Sequence, residues 1–248
     1  MSPLPSDAVN APAITRIAYG DAAVMLEVTG TDMPTRREVT RALRGAVLAN
    51  PPSGVVDVVG GLESVLVRFD CAATRHDEVG LALDRLVRDV EAAELDSSPG
   101  CRFVVPVRFG GEYGPDLESV AEELSMSAET VVGIFTSATL VVDVLAAGIA
   151  PMMHGTDFGA SVARCRTPRA HVPAGAVMVA GHNAIIGPAP GPSGWRILGR
   201  TPVDLVDIHR DPVAHYAPGD LFRFIAITDD QWSGWAGRPL EPSETGAP

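Results

Sequence analysis

The chain contains no lysine: all 19 of its basic residues are arginine. Two chemistries fall with that absence. A Walker-type phosphate loop needs its Lys, and Schiff-base catalysis needs a side-chain amine. Bases are also in the minority, 19 against 31 acids, for a formal net charge of −12. A nucleic-acid binder needs a basic footprint, and an anionic membrane attracts one, so neither partner is expected. Cysteine is scarce. Cys71, Cys101 and Cys165 stand too far apart for a CxxC pair or a disulfide framework, and they read as reduced thiols. The six histidines form no HxH or HExxH arrangement, so no metal site is expected, and there is no G-x-S-x-G elbow. No run of about 18 apolar residues occurs. The stretch Met1–Asp7 lacks the basic and apolar regions of a signal peptide. The expected location is the cytoplasm.

What is present is enough apolar chain, 46% of 248 residues, for one large or two small cores. Residues 1–12 read as a disordered tail. Strands are expected at Ile14–Tyr19, Ala22–Val28, Val55–Val59 and Ser64–Phe69, with helices at Thr35–Ala49 and His76–Glu94. Residues 13–98 therefore read as a small α+β N-terminal domain. A Ser/Pro/Gly break at residues 96–100 ends it. Arg102–Phe109 reads as a strand, and Asp116–Leu124 and Ser127–Ser137 as short helices, the second N-capped by Ser127. Short β-branched runs then alternate with Gly/Pro turns, among them Val177–Val179, Ile185–Ile186, Ile197–Leu198, Leu205–Ile208 and Leu221–Ile227. That spacing makes residues 99–228 a closed barrel. Residues 229–248 read as a polar tail, with Trp232 and Trp235 as candidate anchors for a partner chain.

The densest signal runs from Pro168 to Pro202. Pro168-Arg169, then Val172-Pro173-Ala174-Gly175-Ala176-Val177-Met178-Val179-Ala180-Gly181, are followed by Gly191-Pro192-Ser193-Gly194-Trp195-Arg196-Ile197-Leu198-Gly199-Arg200-Thr201-Pro202. This block resembles the allophanate hydrolase subunit 1 family, which also holds the 5-oxoprolinase B subunit and a sporulation-kinase inhibitor. Val105-Pro106-Val107 with Gly110-Gly111 and Pro115-Asp116-Leu117, Gly20-Asp21-Ala22, and Gly219-Asp220 with Phe222-Arg223-Phe224 extend the likeness over about residues 14–227. Several positions depart from the family pattern. Phe135 stands where relatives carry a His, Met152-Met153 replaces a Gly-Phe pair, Asn183 replaces a Gln, and Gly187 a Tyr.

The resemblance implies a mostly-β, cyclophilin-like second domain. It also implies one subunit of a two-subunit amide-processing enzyme, of allophanate hydrolase or 5-oxoprolinase type, working with a subunit-2 partner. Relatives also occur fused, as the carboxyltransferase region of urea carboxylase. The substrate would be a small amide bearing a carboxylate. No cofactor is expected on this chain alone, and any use of ATP belongs to the assembled complex. The alternative is a non-catalytic regulator that inhibits a histidine kinase. Catalytic residues are left unassigned. Arg169 and Arg200 match the family motif, and a fixed guanidinium grips a carboxylate bidentately. They are expected to line one concave substrate site with His182, Asn183 and Trp195.

Overall fold

The computed structural model describes residues 11–92 and 100–243. The chain separates into two compact units, Met1–Ser98 and Pro99–Pro248. In the first, the elements run β1 (Ala13–Ala18), β2 (Ala23–Thr29), α1 (Met33–Ala49), β3 (Val55–Gly60), β4 (Ser64–Phe69) and α2 (His76–Ala92). The strands pair antiparallel in the order β1-β2-β4-β3. Val24, Leu26 and Val28 alternate along β2, and Val65, Val67 and Phe69 along β4. Val39, Leu43 and Val47 of α1 and Val79 and Leu83 of α2 close over them. Helix α1 starts two residues ahead of the expected Thr35. The Asp32 side chain caps it by accepting from the Thr35 N–H at 2.9 Å, and Pro34 falls within its first turn.

The second unit is mostly β. It comprises β5 (Arg102–Phe109), α3 (Leu117–Glu123), α4 (Ala128–Ser137), β6 (Thr139–Ala146), β7 (Ala150–His154), β8 (Arg169–Val172), β9 (Ala176–Ala180), β10 (Asn183–Ile186), β11 (Gly191–Ser193), β12 (Arg196–Arg200), β13 (Leu221–Ala226) and α5 (Asp229–Trp235). Seven strands close into the expected barrel, in the order β10-β7-β6-β13-β5-β12-β9, with β11 and β8 forming a separate two-stranded ribbon. Only β13 and β5 run parallel among the described barrel pairs. Side chains alternate across a strand. Met153, Val177, Val179, Ala184, Ile186 and Leu198 thus enter the main core, where Phe103, Phe222 and Phe224 also pack. Their neighbours Ala176, Met178, Ile185 and Ile197 point the other way and form a second cluster with Val172 of β8, Met152 and Trp195. The β8–β11 ribbon is what lets strand β9 be apolar on both faces.

Two parts differ from the sequence reading. Leu205–Ile208 is irregular chain rather than strand. Leu205 is buried, but in place of a ladder the chain makes an isolated Asp204–Pro239 bridge and a turn in which the Asp207 N–H donates to the Val213 carbonyl. Residues 229–235 form a helix where a polar tail was expected, because Thr228 and Gln231 make a capping box. Phe135 is fully buried, 5.9 Å from the Phe109 ring and 4.7 Å from that of Phe224. The position where the family resemblance leads one to expect His is here part of the core that fills the barrel. Among the described residues, no helix is long and apolar enough to cross a membrane.

Candidate functional site

Three turns rich in Gly and Pro meet beside the end of β12. The Gly175 N–H donates to the Gly187 carbonyl at 2.7 Å, and the Thr201 N–H to the Gly175 carbonyl at 2.9 Å. Gly175 holds φ at +79°, and a β-carbon there would run into the Thr201 carbonyl oxygen. The approach therefore requires glycine. This knot carries Arg200. Its Nε donates to the Ala174 carbonyl at 2.8 Å, and its guanidinium lies 5.8 Å from the centre of the Trp232 ring. The same ring packs against Tyr113, with ring centres 4.7 Å apart. Arg200, Thr201, Asp204, Gly175, Pro188 and Trp232 line a recess of about 240 Å³. A guanidinium with one N–H already anchored and a ring beside it is preorganised for an anion.

Pro188 also lines a second, more apolar recess, of about 580 Å³. Trp195, Met178, Ile185, Val172 and Arg164 contribute to its walls. The Arg164 guanidinium sits 5.9 Å from the Trp195 ring centre. Trp195 is held from behind by its own backbone, whose N–H donates to Ser193 Oγ at 3.1 Å.

Arg169 lies elsewhere. Its Nη2 donates to Asp116 Oδ1 at 2.7 Å and its Nη1 to the Cys165 sulfur at 3.2 Å. The hydrogen bond to Asp116 raises the Arg169 pKa further above its ordinary value. Asp116 also accepts the Ile197 N–H at 2.8 Å and has Arg196 at 3.8 Å; Arg196 reaches Glu123 at 3.5 Å. Arg169 is thus a fixed member of a network joining β8, β12 and α3. Arg200 and Trp195 flank Pro188 in adjoining recesses, whereas neither recess is lined by Arg169, His182 or Asn183. The guanidinium of Arg169 is drawn to a nearly buried carboxylate, which its position between Pro168 and the Val172-Pro173 turn did not reveal.

His182 is exposed on the turn between β9 and β10. Asn183 begins β10 directly opposite His154 of β7. His154 Nδ1 lies 2.8 and 2.9 Å from the two carboxylate oxygens of Asp143. No sequence pattern hints at this pair, since the two residues are eleven apart and meet only through the β6–β7 register. Trp232 was likewise expected in a partner-facing tail, yet it packs beside Arg200. Trp235 is half-buried against the main core.

A closed, mostly antiparallel barrel with its motifs gathered on the turns defines the architecture of the second unit. Residues 15–216 match the carboxyltransferase domain, subdomain C and D, and the chain belongs to that family. It is 30% identical to the 5-oxoprolinase B subunit of Bacillus subtilis, the match covering 87% of this chain and 94% of that one. It is 32% identical to the 5-oxoprolinase B subunit of Escherichia coli O157:H7, over 83% and 93% of the two chains. The crystal structure of TTHA0988 matches with a TM-score of 0.68 at 28% identity, covering 84% of this chain but only 40% of that longer one. The K. lactis urea amidolyase shares the fold, with a TM-score of 0.75 at 19% identity, over 97% of this chain and 17% of its own.

Proposed function

We propose that this chain is the B-type subunit of a two-subunit amide-processing enzyme of 5-oxoprolinase type. The observation that carries the reading is the match to the B subunit of the Bacillus subtilis enzyme across 94% of that protein. The recess around Arg200 adds a chemical argument. It offers a cation, a flat ring and a backbone knot to a small amide that bears a carboxylate, such as 5-oxoproline or allophanate. The much longer chain of TTHA0988, of which the match occupies 40%, agrees with a module that works alongside more protein.

The partner is a subunit-2 protein, and the chain alone is inactive. With no lysine in this sequence, any amine needed for ATP chemistry comes from that partner. The cyclophilin-like character of the barrel and a cytoplasmic location belong to the same reading. No described feature favours the alternative of a histidine-kinase inhibitor. The test is co-expression with a subunit-2 family protein from the same genome. A complex that survives size-exclusion chromatography supports the reading. Two proteins that elute separately at every concentration tried, with the chain binding a histidine kinase instead, overturn it.

A further inference from the structure

Arg200 shares its recess with an acid that does not pair with it. Asp204 follows the buried turn Thr201-Pro202-Val203 and lines the same space of about 240 Å³. The chain around it fixes where its carboxylate goes. Val203 and Leu205 both enter the main core, so Asp204 between them points away from that core. Its N–H donates to the Arg238 carbonyl at 2.8 Å, and its carbonyl accepts the Leu240 N–H at 2.8 Å. With both main-chain groups used on residues 238–240, what Asp204 has left to offer the recess is its carboxylate.

Among the described residues, no hydrogen bond or ion pair holds that carboxylate. The Arg200 guanidinium is turned toward the Ala174 carbonyl and the Trp232 ring instead. A guanidinium and a carboxylate that line one small space without meeting form two subsites of opposite sign. Asp204 also lines the neighbouring recess, of about 410 Å³, but the cation there is already paired. Arg210 lies 3.3 Å from Asp207 and 3.9 Å from Glu241. Of the two spaces, the Arg200 recess is the one that presents both charges to a ligand.

Size and charge together narrow that ligand. Clefts for drug-sized molecules run to about 300–1,000 Å³, so a recess of about 240 Å³ suits something smaller. A small molecule with an anion and a nitrogen donor on neighbouring atoms satisfies both subsites at once. An α-amino acid has this pattern, with carboxylate and ammonium on one carbon. A cyclic amide made from an α-amino acid keeps it, since the ring N–H stands beside the carboxylate.

We infer that the Arg200 recess is an α-amino-acid site, in which Arg200 takes the carboxylate and Asp204 the α-nitrogen. The inference deepens, and rests on, the reading of that recess as the substrate site of an amide-processing subunit. It selects between the two substrates that reading allows. 5-Oxoproline offers its ring N–H to Asp204, and glutamate, the product of its opening, offers an ammonium. Allophanate yields no α-amino acid. Asp204 is then a specificity residue: it accepts a hydrogen bond from nitrogen and repels a second carboxylate in that place.

The experiment titrates L-glutamate and glutarate into the assembled complex by calorimetry. Glutarate has the same two carboxylates and no amine. The wild type should prefer glutamate by about tenfold or more, the worth of one hydrogen bond between charged groups. Asp204→Asn should cut the preference to about threefold or less, because a neutral acceptor remains without the charge, and glutarate should bind at least as well as before. Arg200→Gln should weaken both ligands. Asp207→Asn removes a carboxylate of the neighbouring recess and should keep the preference. A preference that survives Asp204→Asn, or that falls as far in Asp207→Asn, overturns the inference. So does a wild-type complex that binds neither ligand. The functional reading is judged apart, by release of glutamate from 5-oxoproline in the same complex. Turnover without a glutamate preference overturns the α-amino-acid site and leaves the reading standing. A preference without turnover overturns the reading and leaves the site.

Discussion

Gly175 and Thr201 touch through their backbones. The Thr201 N–H donates to the Gly175 carbonyl at 2.9 Å, and Gly175 can approach only because it has no β-carbon and holds φ at +79°. Through this contact two stretches far apart in sequence, Pro173–Gly175 and Gly199–Pro202, become one site. Gly175→Ala must both adopt a left-handed conformation and push Thr201 away. It should cost about 2–4 kcal/mol, from strain of ~1–3 kcal/mol at such a position plus displaced packing. Urea denaturation of the isolated chain measures this, and Gly237→Ala, also at positive φ but with open space for a β-carbon, is the control that should cost less.

Arg200 and Arg169 should respond to neutralisation in opposite ways. Arg169→Gln breaks the 2.7 Å pair with Asp116 and leaves that nearly buried carboxylate one donor short. A charged hydrogen bond of this kind, here a third exposed on the arginine side, should cost roughly 1–3 kcal/mol of stability. Arg200→Gln loses one bond to a carbonyl and should change stability by less than about 1 kcal/mol. It should instead weaken binding of a small carboxylate to the complex by about 2–5 kcal/mol. Melting temperature and calorimetric binding, read on both variants, separate the two roles. Equal loss of stability in both would contradict the assignment of Arg200 to ligand binding.

The two tryptophans of α5 should also divide. Trp235 is half-buried against the barrel core, so Trp235→Ala should lower stability by roughly 1–3 kcal/mol. Trp232 contacts both Tyr113 and Arg200. Trp232→Ala removes the platform beside the guanidinium and should weaken carboxylate binding by about 1 kcal/mol, with little change in melting temperature. A Trp232→Ala chain that binds the carboxylate normally but no longer holds its partner would return this residue to the interface.

Asp220 gives the chain a pH dependence of defined sign. Burial raises its pKa above 3.8, opposed by N–H donors from Ala217 and Cys101. A carboxyl whose folded pKa is raised favours the folded state when protonated. Its contribution is complete below the unfolded value and is lost as pH rises through the folded one. Relative to Asp220→Asn, which cannot titrate, the wild type should therefore be more stable at acid pH than at neutral pH. Denaturation midpoints of both proteins across the window above pH 3.8 check this, since the other carboxylates cancel in the difference.

How far the sequence was legible depended on how local each signal was. The barrel could be read from Val177–Val179, Ile185–Ile186 and Ile197–Leu198 because period and punctuation are properties of a few neighbouring residues. Helix α4 could be read from its Ser127 cap for the same reason. Helix α5 was readable too, since Thr228 and Gln231 are only three apart, but its polar composition hid it. Arg200 stood out by motif, and the structure gives it a prepared setting. Arg169 stood out equally and is occupied by Asp116, fifty-three residues earlier. The Asp143–His154 pair depends on a register slip between two strands, which no local pattern encodes.

The most direct measurement is amide opening by the chain with its subunit-2 partner, with each protein assayed alone in parallel. Supplied with 5-oxoproline, and with ATP where the partner requires it, the mixture should release glutamate while neither protein does so by itself. Arg200→Gln should abolish the activity of the mixture without dissolving the complex. Full activity of the partner alone, or an assembled complex indifferent to Arg200→Gln, would contradict the account.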